Sequence, residues 1–348
     1  MVFYILLGIF ALGLLVFIHE LGHFLAGKAF GVKVREFMVG LPSPKLVRIR
    51  RGETDYGITI LPFGGYVKFS GMDPTEELTP EEEKRSFDGQ PVWKRLLILA
   101  AGPGMNLLLA SVIFAGVFMY GVPMPTTTID QVLKGYPAQK AGIVRGDRIV
   151  AIDSEPVDSW DEMVGIIRAS AGERVSIDVQ RDGRRESIPV LVARRNGAGF
   201  LGVGPRVEDR PMAFVPSVWL GIKTTGLVVV AVVMFLIELP SRLGLLSQAR
   251  GPVGLVQESA RAASEGFRDF AWLVAAFSVS LGVFNLIPLP PLDGGKVALA
   301  AVEGLFRRRL SRSVVLAISA FGASLLILLM VYIVVADIGR LLPSATGG

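Results

Sequence analysis

Residues 17–27, FIHELGHFLAG, place two histidines and a glutamate inside an apolar run. His19 and His23 are four residues apart, so on a helix both imidazoles lie on one face and can bind one metal ion. Glu20 then stands beside that ion, where a carboxylate can take a proton from an activated water. The pattern His-Glu-x-x-His predicts a zinc-dependent hydrolytic centre, although so short a motif also occurs by chance.

Charge at the centre of a membrane helix costs about 2.5–3.5 kcal/mol on insertion scales. Glu20 and the two imidazoles therefore need compensation, which metal binding in a wet cavity would supply. The alternative is a polar cluster at a helix end that faces water or packs against another helix. The chain has two histidines and no cysteine, so a third zinc ligand must be a carboxylate or something weaker.

Three carboxylates lie in or at the ends of apolar segments: Glu238, Asp293 and Asp337. If residues 1–27, 93–121 and 269–293 each cross the membrane, Asp293 arrives on the side where the first helix ends. Asp337 then lies on the opposite side. This count predicts Asp293 as the third ligand.

The same count requires that residues 219–239 do not cross. Their uncharged run between Lys223 and Glu238 is short, which favours an interfacial or re-entrant helix. We therefore predict that this segment does not span.

The composition indicates a membrane protein, because 51% of residues are hydrophobic and the mean hydropathy is +0.53. The net charge of +5 fits a bias of basic loops toward the cytoplasm better than nucleic-acid binding, since no basic patch is interleaved with aromatic residues. The short connection after Asp293 is strongly basic and predicts that this side is cytoplasmic. Its basic residues, against Glu303 alone, are Lys296, Arg307, Arg308, Arg309 and Arg312.

We predict a polytopic α-helical membrane protein with about four transmembrane helices, a membrane-associated β-hairpin region and one inserted α+β domain. The predicted segments are a first transmembrane helix (1–27), a cytoplasmic-side loop with β-hairpins (28–92), a second transmembrane helix (93–121), the inserted domain (127–205), interfacial helices (214–268), a third transmembrane helix (269–293) and a fourth (313–336). Within them, residues 73–90 are acidic and predict an exposed loop. Asp182-Gly183 predicts a β-hairpin.

The stretch YPAQKAGIVRGDRIVAID resembles the PDZ signature PAxxAGxxxGDxI. PDZ domains bind extended peptides by adding a strand to a sheet edge. The resemblance implies a PDZ domain that binds peptide or protein segments, or one that serves only as a spacer or gate. Because the second predicted span returns the chain to the side opposite the basic connection, we expect this domain to be extracytoplasmic.

HELGH in a first membrane helix and NLIPLPPLDGG in a late one resemble the site-2 protease family of intramembrane zinc metalloproteases, in its RseP-like bacterial branch with one PDZ domain. PFGGYVK at 62–68, AGPGMN at 101–106 and GPVG at 251–254 extend the resemblance over nearly the whole chain. It implies that His19, His23 and Asp293 bind one Zn²⁺ and that Glu20 is the catalytic acid and base. It also implies a set of substrate-binding residues: Asn106, Asn285, Pro288, Pro290, Gly64 and Gly65.

Two departures limit what the resemblance implies. Gly40-Leu41-Pro42 stands where relatives carry Gly-Phe-Gly, which questions strand pairing there. Many relatives have two tandem PDZ domains where this chain shows one, so a size filter built on two domains does not carry over unchanged.

The function implied is hydrolysis of peptide bonds within transmembrane segments. The expected partners are single-span membrane proteins already cut once, such as anti-sigma factors, or signal-peptide remnants, together with the lipid bilayer; no nucleic acid is expected. The expected location is the bacterial cytoplasmic membrane. The alternative is a PDZ-bearing membrane chaperone or scaffold that does not cut, but a scaffold has no need of Glu20. A metal transporter fits poorly with a single site and a peptide-binding domain.

Overall fold

The computed structural model describes residues 2–61, 64–72, 78–241 and 251–341. The chain divides into two compact units, of which the first contains Met1–Phe118 and Phe214–Gly348 and the second contains Met119–Ala213. The helices are α1 (Val2–Ala29), α2 (Pro80–Lys84), α3 (Val92–Tyr120), α4 (Pro137–Ala141), α5 (Trp160–Ala169), α6 (Phe214–Glu238), α7 (Pro252–Glu265), α8 (Phe267–Asn285), α9 (Asp293–Phe306) and α10 (Arg312–Leu341). The strands are β1 (Val34–Val39), β2 (Lys45–Arg51), β3 (Thr54–Thr59), β4 (Gly65–Phe69), β5 (Val122–Val132), β6 (Arg148–Ile152), β7 (Glu155–Pro156), β8 (Arg174–Arg181), β9 (Arg184–Leu191), β10 (Ala193–Arg195), β11 (Ala198–Phe200) and β12 (Val203–Arg210).

Long apolar helices dominate the first unit. Within the described residues, five helices are long and apolar enough to cross a bilayer, namely α1, α3, α6, α8 and α10. A bilayer's hydrocarbon core needs about 20 apolar helical residues, and α1 alone has 28. The chain is therefore built as a multi-pass membrane protein.

Helix α6 differs from the sequence expectation for residues 219–239. The helix begins at Phe214, so the apolar residues before Lys223 lengthen it to 25 residues, and a single lysine on a long stem can extend its charge toward water. Length and composition thus no longer separate α6 from the other candidate spans. Because Asp293 nevertheless lies against His19, as described below, either α6 does not cross or the chain recrosses before α8.

Glycines allow the membrane helices to approach closely. A Cβ atom at Gly22 of α1 would lie 2.4 Å from the carbonyl oxygen of Ala101 in α3. A Cβ at Gly282 of α8 would lie 3.1 Å from the carbonyl oxygen of Pro103, also in α3. Small residues at such crossings bring helix backbones together where lipid gives no hydrophobic drive. Helix α3 thus packs directly against both α1 and α8.

The region predicted to be β-rich forms a four-stranded sheet in the order β2-β3-β1-β4. β1 pairs parallel with β3 and antiparallel with β4, with Phe37 opposite Val67. Pairing continues past the unusual Gly40-Leu41-Pro42 turn, because the Gly40 N–H donates to the Gly64 carbonyl at 2.8 Å and the Leu41 N–H to the Leu61 carbonyl at 2.9 Å. Strand pairing is therefore kept here although the turn reads Gly-Leu-Pro rather than Gly-Phe-Gly. Pro62 and Phe63 of the PFGGYVK motif lie outside the described residues.

The edge strand β4 lies along α1. A Cβ at Gly64 would lie 2.9 Å from Val16 Cγ1, and a Cβ at Gly27 would lie 2.2 Å from a ring carbon of Phe69. Gly64 also has φ of +78°, a conformation that favours glycine. These contacts hold the sheet edge beside the helix that carries His19, Glu20 and His23.

Two expected boundaries are wrong. The acidic segment after Met72 is not all loop, since Thr79 and Glu82 form a capping box that begins α2 and Phe87 is buried; residues 73–77 lie outside the described part. The third predicted transmembrane helix, 269–293, ends at Asn285 rather than at Asp293. The proline-rich turn after Asn285 interrupts the helix because proline lacks the N–H that a helix needs, and Asp293 begins α9 instead.

The second unit is an α/β body whose main sheet contains β12-β5-β6-β8-β9, with β7 beside β6. The predicted Asp182-Gly183 hairpin is confirmed, because β8 and β9 pair antiparallel up to Arg181 opposite Arg184. Its core is aliphatic and includes Ile149 and Ile177, which are fully buried.

Asp147, in the PDZ-like stretch, fixes the loop that precedes β6. Its carboxylate accepts hydrogen bonds from the Val144 N–H at 2.8 Å and from the Arg181 guanidinium at 2.8 Å. Burial alone would raise the pKa of Asp147, but these hydrogen bonds outweigh it and lower that pKa. The aspartate of the PDZ-like signature thus stabilises the loop before β6 by accepting these hydrogen bonds.

Candidate metal centre

Three side chains from two distant helices converge on one point. The Nε2 atoms of His19 and His23 lie 2.9 and 3.0 Å from Oδ2 of Asp293, and 3.2 Å from each other. All three residues are buried. Helix α1 supplies both imidazoles from one face, and Asp293 is the first residue of α9.

This geometry fits zinc. Imidazole nitrogen and carboxylate oxygen bind zinc at about 2.0–2.2 Å in a tetrahedral arrangement, whose edges are then about 3.3–3.6 Å long. The three donor atoms are separated by 2.9 to 3.2 Å, close to those edges. Within the described residues, this is the one group of three such side chains with metal-site spacing. Three protein ligands would leave a fourth position for water or substrate.

The ring of His23 is oriented by a backbone carbonyl. Its Nδ1–H donates to the carbonyl oxygen of Ile98 at 2.8 Å, which leaves the lone pair of Nε2 directed at Asp293. Such a bond fixes the tautomer that a metal ligand requires.

The ring of His19 is held by Asn106, which lies on α3 and is fully buried. The Asn106 amide nitrogen is 3.2 Å from Nδ1 of His19, while Asn106 Oδ1 has no hydrogen-bond partner among the described residues. Amide oxygen and nitrogen are assigned by their hydrogen bonds. Exchanging them lets Oδ1 accept the Nδ1–H of His19, so Nε2 keeps its lone pair for zinc. Asn106, expected to bind substrate, thus contacts a ligand histidine.

Gly102 makes room for the His23 ring against α3. A Cβ at this position would lie 2.3 Å from Nε2 of His23, far inside van der Waals contact. The AGPGMN motif therefore combines a glycine that admits one ligand ring with Asn106, which holds the other.

Glu20 lies one residue from His19 and borders a cavity of about 240 Å³. Its Oε2 accepts a hydrogen bond from the backbone N–H of Val67 in β4 at 3.1 Å. The cavity is lined by Val16, His19, Glu20, Leu281, Asn285, Pro291, Leu292, Asp293 and Lys296. The carboxylate and two of the three donor side chains thus face the same space.

Of the other expected substrate-binding residues, three lie at the cavity or beside α1, and two prolines lie away from the cavity. Asn285 lines the cavity, and Gly64 and Gly65 lie against α1 beside Val16 and Phe17. Pro288 is exposed and Pro290 is buried, and neither lines the cavity.

Asp337, the rejected ligand candidate, is buried elsewhere. Its Oδ2 accepts the Gly254 N–H at 2.9 Å. This contact is in the first turn of α7, within the GPVG motif, where unpaired N–H groups attract an acidic side chain.

The groups at the site that were missed from the sequence include the Val67 N–H, the Ile98 carbonyl, Gly102, Pro291 and Lys296. The two backbone groups carry no residue signature, so no sequence signal could reveal them. Lys296 was readable, since it follows Asp293 by three residues and therefore shares its helix face.

Gly102→Ala tests the fit of the His23 ring. The added methyl would displace the imidazole, and we expect at least the roughly 10–100-fold loss of metal affinity that follows when support for a ligand is removed. Gly104→Ala is the matched control on the same helix, because a Cβ there meets nothing within 4 Å. Zinc per chain, measured by mass spectrometry on detergent-purified folded protein, decides the outcome. Equal zinc contents in the two variants would contradict this geometry.

Comparisons with known proteins agree with the site. The family model "Peptidase family M50" matches residues 7–329. Zinc metalloprotease Rip1 of Mycobacterium tuberculosis is 34% identical over 344 residues, covering 85% of each chain. A provisionally named zinc metalloprotease of Clostridium acetobutylicum is 32% identical over 339 residues, covering 97% of each chain. The chain therefore belongs to peptidase family M50, and it is a zinc metalloprotease of the site-2 type.

Proposed function

We propose that this protein hydrolyses peptide bonds within the transmembrane segments of its substrates. One observation carries the proposal: a buried group of three zinc-ligand side chains lies among apolar helices, with Glu20 beside it on one cavity. A binding scaffold has no use for that combination, so the non-proteolytic alternative is not favoured.

His19, His23 and Asp293 would hold one zinc ion per chain. Zinc, when bound, acts as a Lewis acid that polarises a carbonyl and lowers the pKa of a water to about 7. Asn106 and the Ile98 carbonyl keep both imidazoles in the tautomer with a free Nε2. Burial of all three ligands excludes bulk water from the donor side of the site.

Glu20 would act as the general base and then as the general acid. It takes a proton from the attacking water while the water oxygen bonds to the scissile carbonyl carbon. It then gives that proton to the amide nitrogen as the carbon–nitrogen bond breaks.

A helical substrate hides its peptide bonds in its own hydrogen bonds, so it must unwind first. The edge strand β4 offers backbone groups for an extended segment, and Val67 N–H already lies within 3.1 Å of the Glu20 carboxylate. Gly64 and Gly65 let the start of that strand lie close to Val16 and Phe17 of α1. Asn285, at the end of α8, would bind the substrate backbone from the other wall of the cavity, and the exposed Pro288 would contact substrate outside it.

The second unit would be an extracytoplasmic PDZ domain. Support comes from the PDZ-like signature, from the sheet with helix α5 packed beside it in the aliphatic core, and from Asp147 fixing the loop before β6. It would bind peptide segments or control access of substrates. Candidate substrates are single-span membrane proteins already cut by another protease, such as anti-sigma factors, and signal-peptide remnants.

Glu20→Gln separates catalysis from metal binding. The amide keeps the shape of the side chain but cannot accept a proton, so we expect cleavage of a single-span test substrate to fall at least about 100-fold. Zinc per chain should stay unchanged.

Glu53→Gln is the control for this variant, because Glu53 pairs with Arg85 away from the cavity and its loss should leave cleavage intact. Cleavage by Glu20→Gln at the wild-type rate would refute the assignment of Glu20.

The proposed orientation can be tested with single cysteines, since the natural chain has none. Asp182→Cys, at the β8–β9 hairpin, should react with a membrane-impermeant maleimide in intact spheroplasts. Arg308→Cys, in the basic connection after α9, should react only after lysis, because basic short loops stay in the cytoplasm. The reverse pattern would invert the topology.

A further inference from the structure

Lys296 is a charged group that the mechanism above leaves without a role. It lies in the first turn of α9, and its Nζ is 3.8 Å from Oδ1 of Asp293. The two histidines approach the other carboxylate oxygen, Oδ2. Lys296 lines the same cavity as His19 and Glu20, and among the residues that line it Lys296 is the one permanent cation.

Local helix preferences do not explain this lysine. A cation in the first turn lies at the positive end of the helix dipole, which disfavours it. Its ion pair with Asp293 is long, and 46% of the lysine side chain is exposed, so that pair contributes little by itself. The positive charge of Lys296 therefore slightly destabilises the start of α9. It lines the cavity in which negative charge would develop during hydrolysis.

Peptide hydrolysis creates such a charge. When the water oxygen bonds to the carbonyl carbon, the carbonyl oxygen becomes an oxyanion until the carbon–nitrogen bond breaks. A cation that lies beside that oxygen stabilises the developing negative charge and so lowers the barrier.

We propose that Lys296 is a catalytic residue that stabilises the oxyanion of the scissile carbonyl. The inference rests on the proposed function. The ammonium group donates a hydrogen bond to the oxyanion and keeps its own proton, while Glu20 carries the proton from water to the leaving amine. The competing role is that Lys296 only orients Asp293 through Oδ1, which would act on zinc affinity instead.

The test compares Lys296→Met, Lys296→Arg and Arg308→Met, the last removing an exposed charge from the basic connection after α9. Each detergent-purified variant is measured for zinc per chain, for kcat and KM on a single-span substrate, and for the Kd of a phosphinic peptide. The phosphinic group carries the tetrahedral anion of the transition state, and the matching uncut peptide serves as its neutral reference.

We expect Lys296→Met to lower kcat by about 100–1,000-fold, as the loss of one oxyanion donor does, with KM and zinc unchanged. Affinity for the phosphinic peptide should fall by a similar factor and affinity for the neutral peptide should not. Lys296→Arg should recover most of both losses, and Arg308→Met should match wild type.

Unchanged kcat and phosphinate affinity in Lys296→Met, beside an active wild type, would overturn the role of Lys296 and leave the protease function standing. Loss of kcat explained wholly by lost zinc would assign Lys296 to positioning and overturn the proposal as well. A wild type that cleaves nothing but binds the phosphinic peptide through Lys296 would refute the proposed function and with it the catalytic role of Lys296, leaving only an anion-binding site.

Discussion

The convergence of two imidazoles on one oxygen of Asp293 is the contact on which the first unit depends. Those side chains are 274 and 270 residues apart in sequence, so helices from both ends of the chain must meet. Three polar side chains in an apolar surrounding are costly unless they bind one another or a cation. Helix α3 makes the meeting possible, because it supplies the Ile98 carbonyl, the space at Gly102 and the amide of Asn106.

The same contact explains the interruption after α8. A continuous helix through residues 286–292 would carry Asp293 past the histidines along the helix axis. Pro288, Pro290 and Pro291 end the helix instead, and Gly294 and Gly295 let the start of α9 fold back closely, since a Cβ at Gly294 would lie 2.2 Å from the Leu286 carbonyl oxygen. The far end of α9 is fixed to α3 by the ion pair of Arg95 and Glu303 at 2.6 Å, so α9 is fixed at both ends.

The metal-ligand side chains were predictable from the sequence, because few residues in the chain can bind zinc. His19 and His23 are the only histidines, and Asp293 followed from charge and from counting crossings. The sheet of β1 to β4 and the β8–β9 hairpin were readable from strand alternation and turn chemistry. The groups that orient the ligands were not, because Ile98 and Val67 act through backbone atoms that any residue carries. Gly102 gave no local signal, since its role depends on a ring from another helix.

The length of α6 was misjudged because Lys223 was treated as a boundary, whereas one lysine can lie within a long apolar helix. The separate function of Lys296 was obscured by the basic residues that follow it.

Zinc per chain in wild type, Asp293→Ala and Asp337→Ala would show whether Asp293 is the third zinc ligand. Both aspartates are buried carboxylates, but only Asp293 lies against the histidines. We expect about one zinc per chain in wild type and in Asp337→Ala, as three protein ligands provide, and a sharp fall in Asp293→Ala. Undiminished zinc in Asp293→Ala would rule out Asp293 as a ligand, because His19 and His23 would then bind the metal without the residue that joins the two ends of the chain.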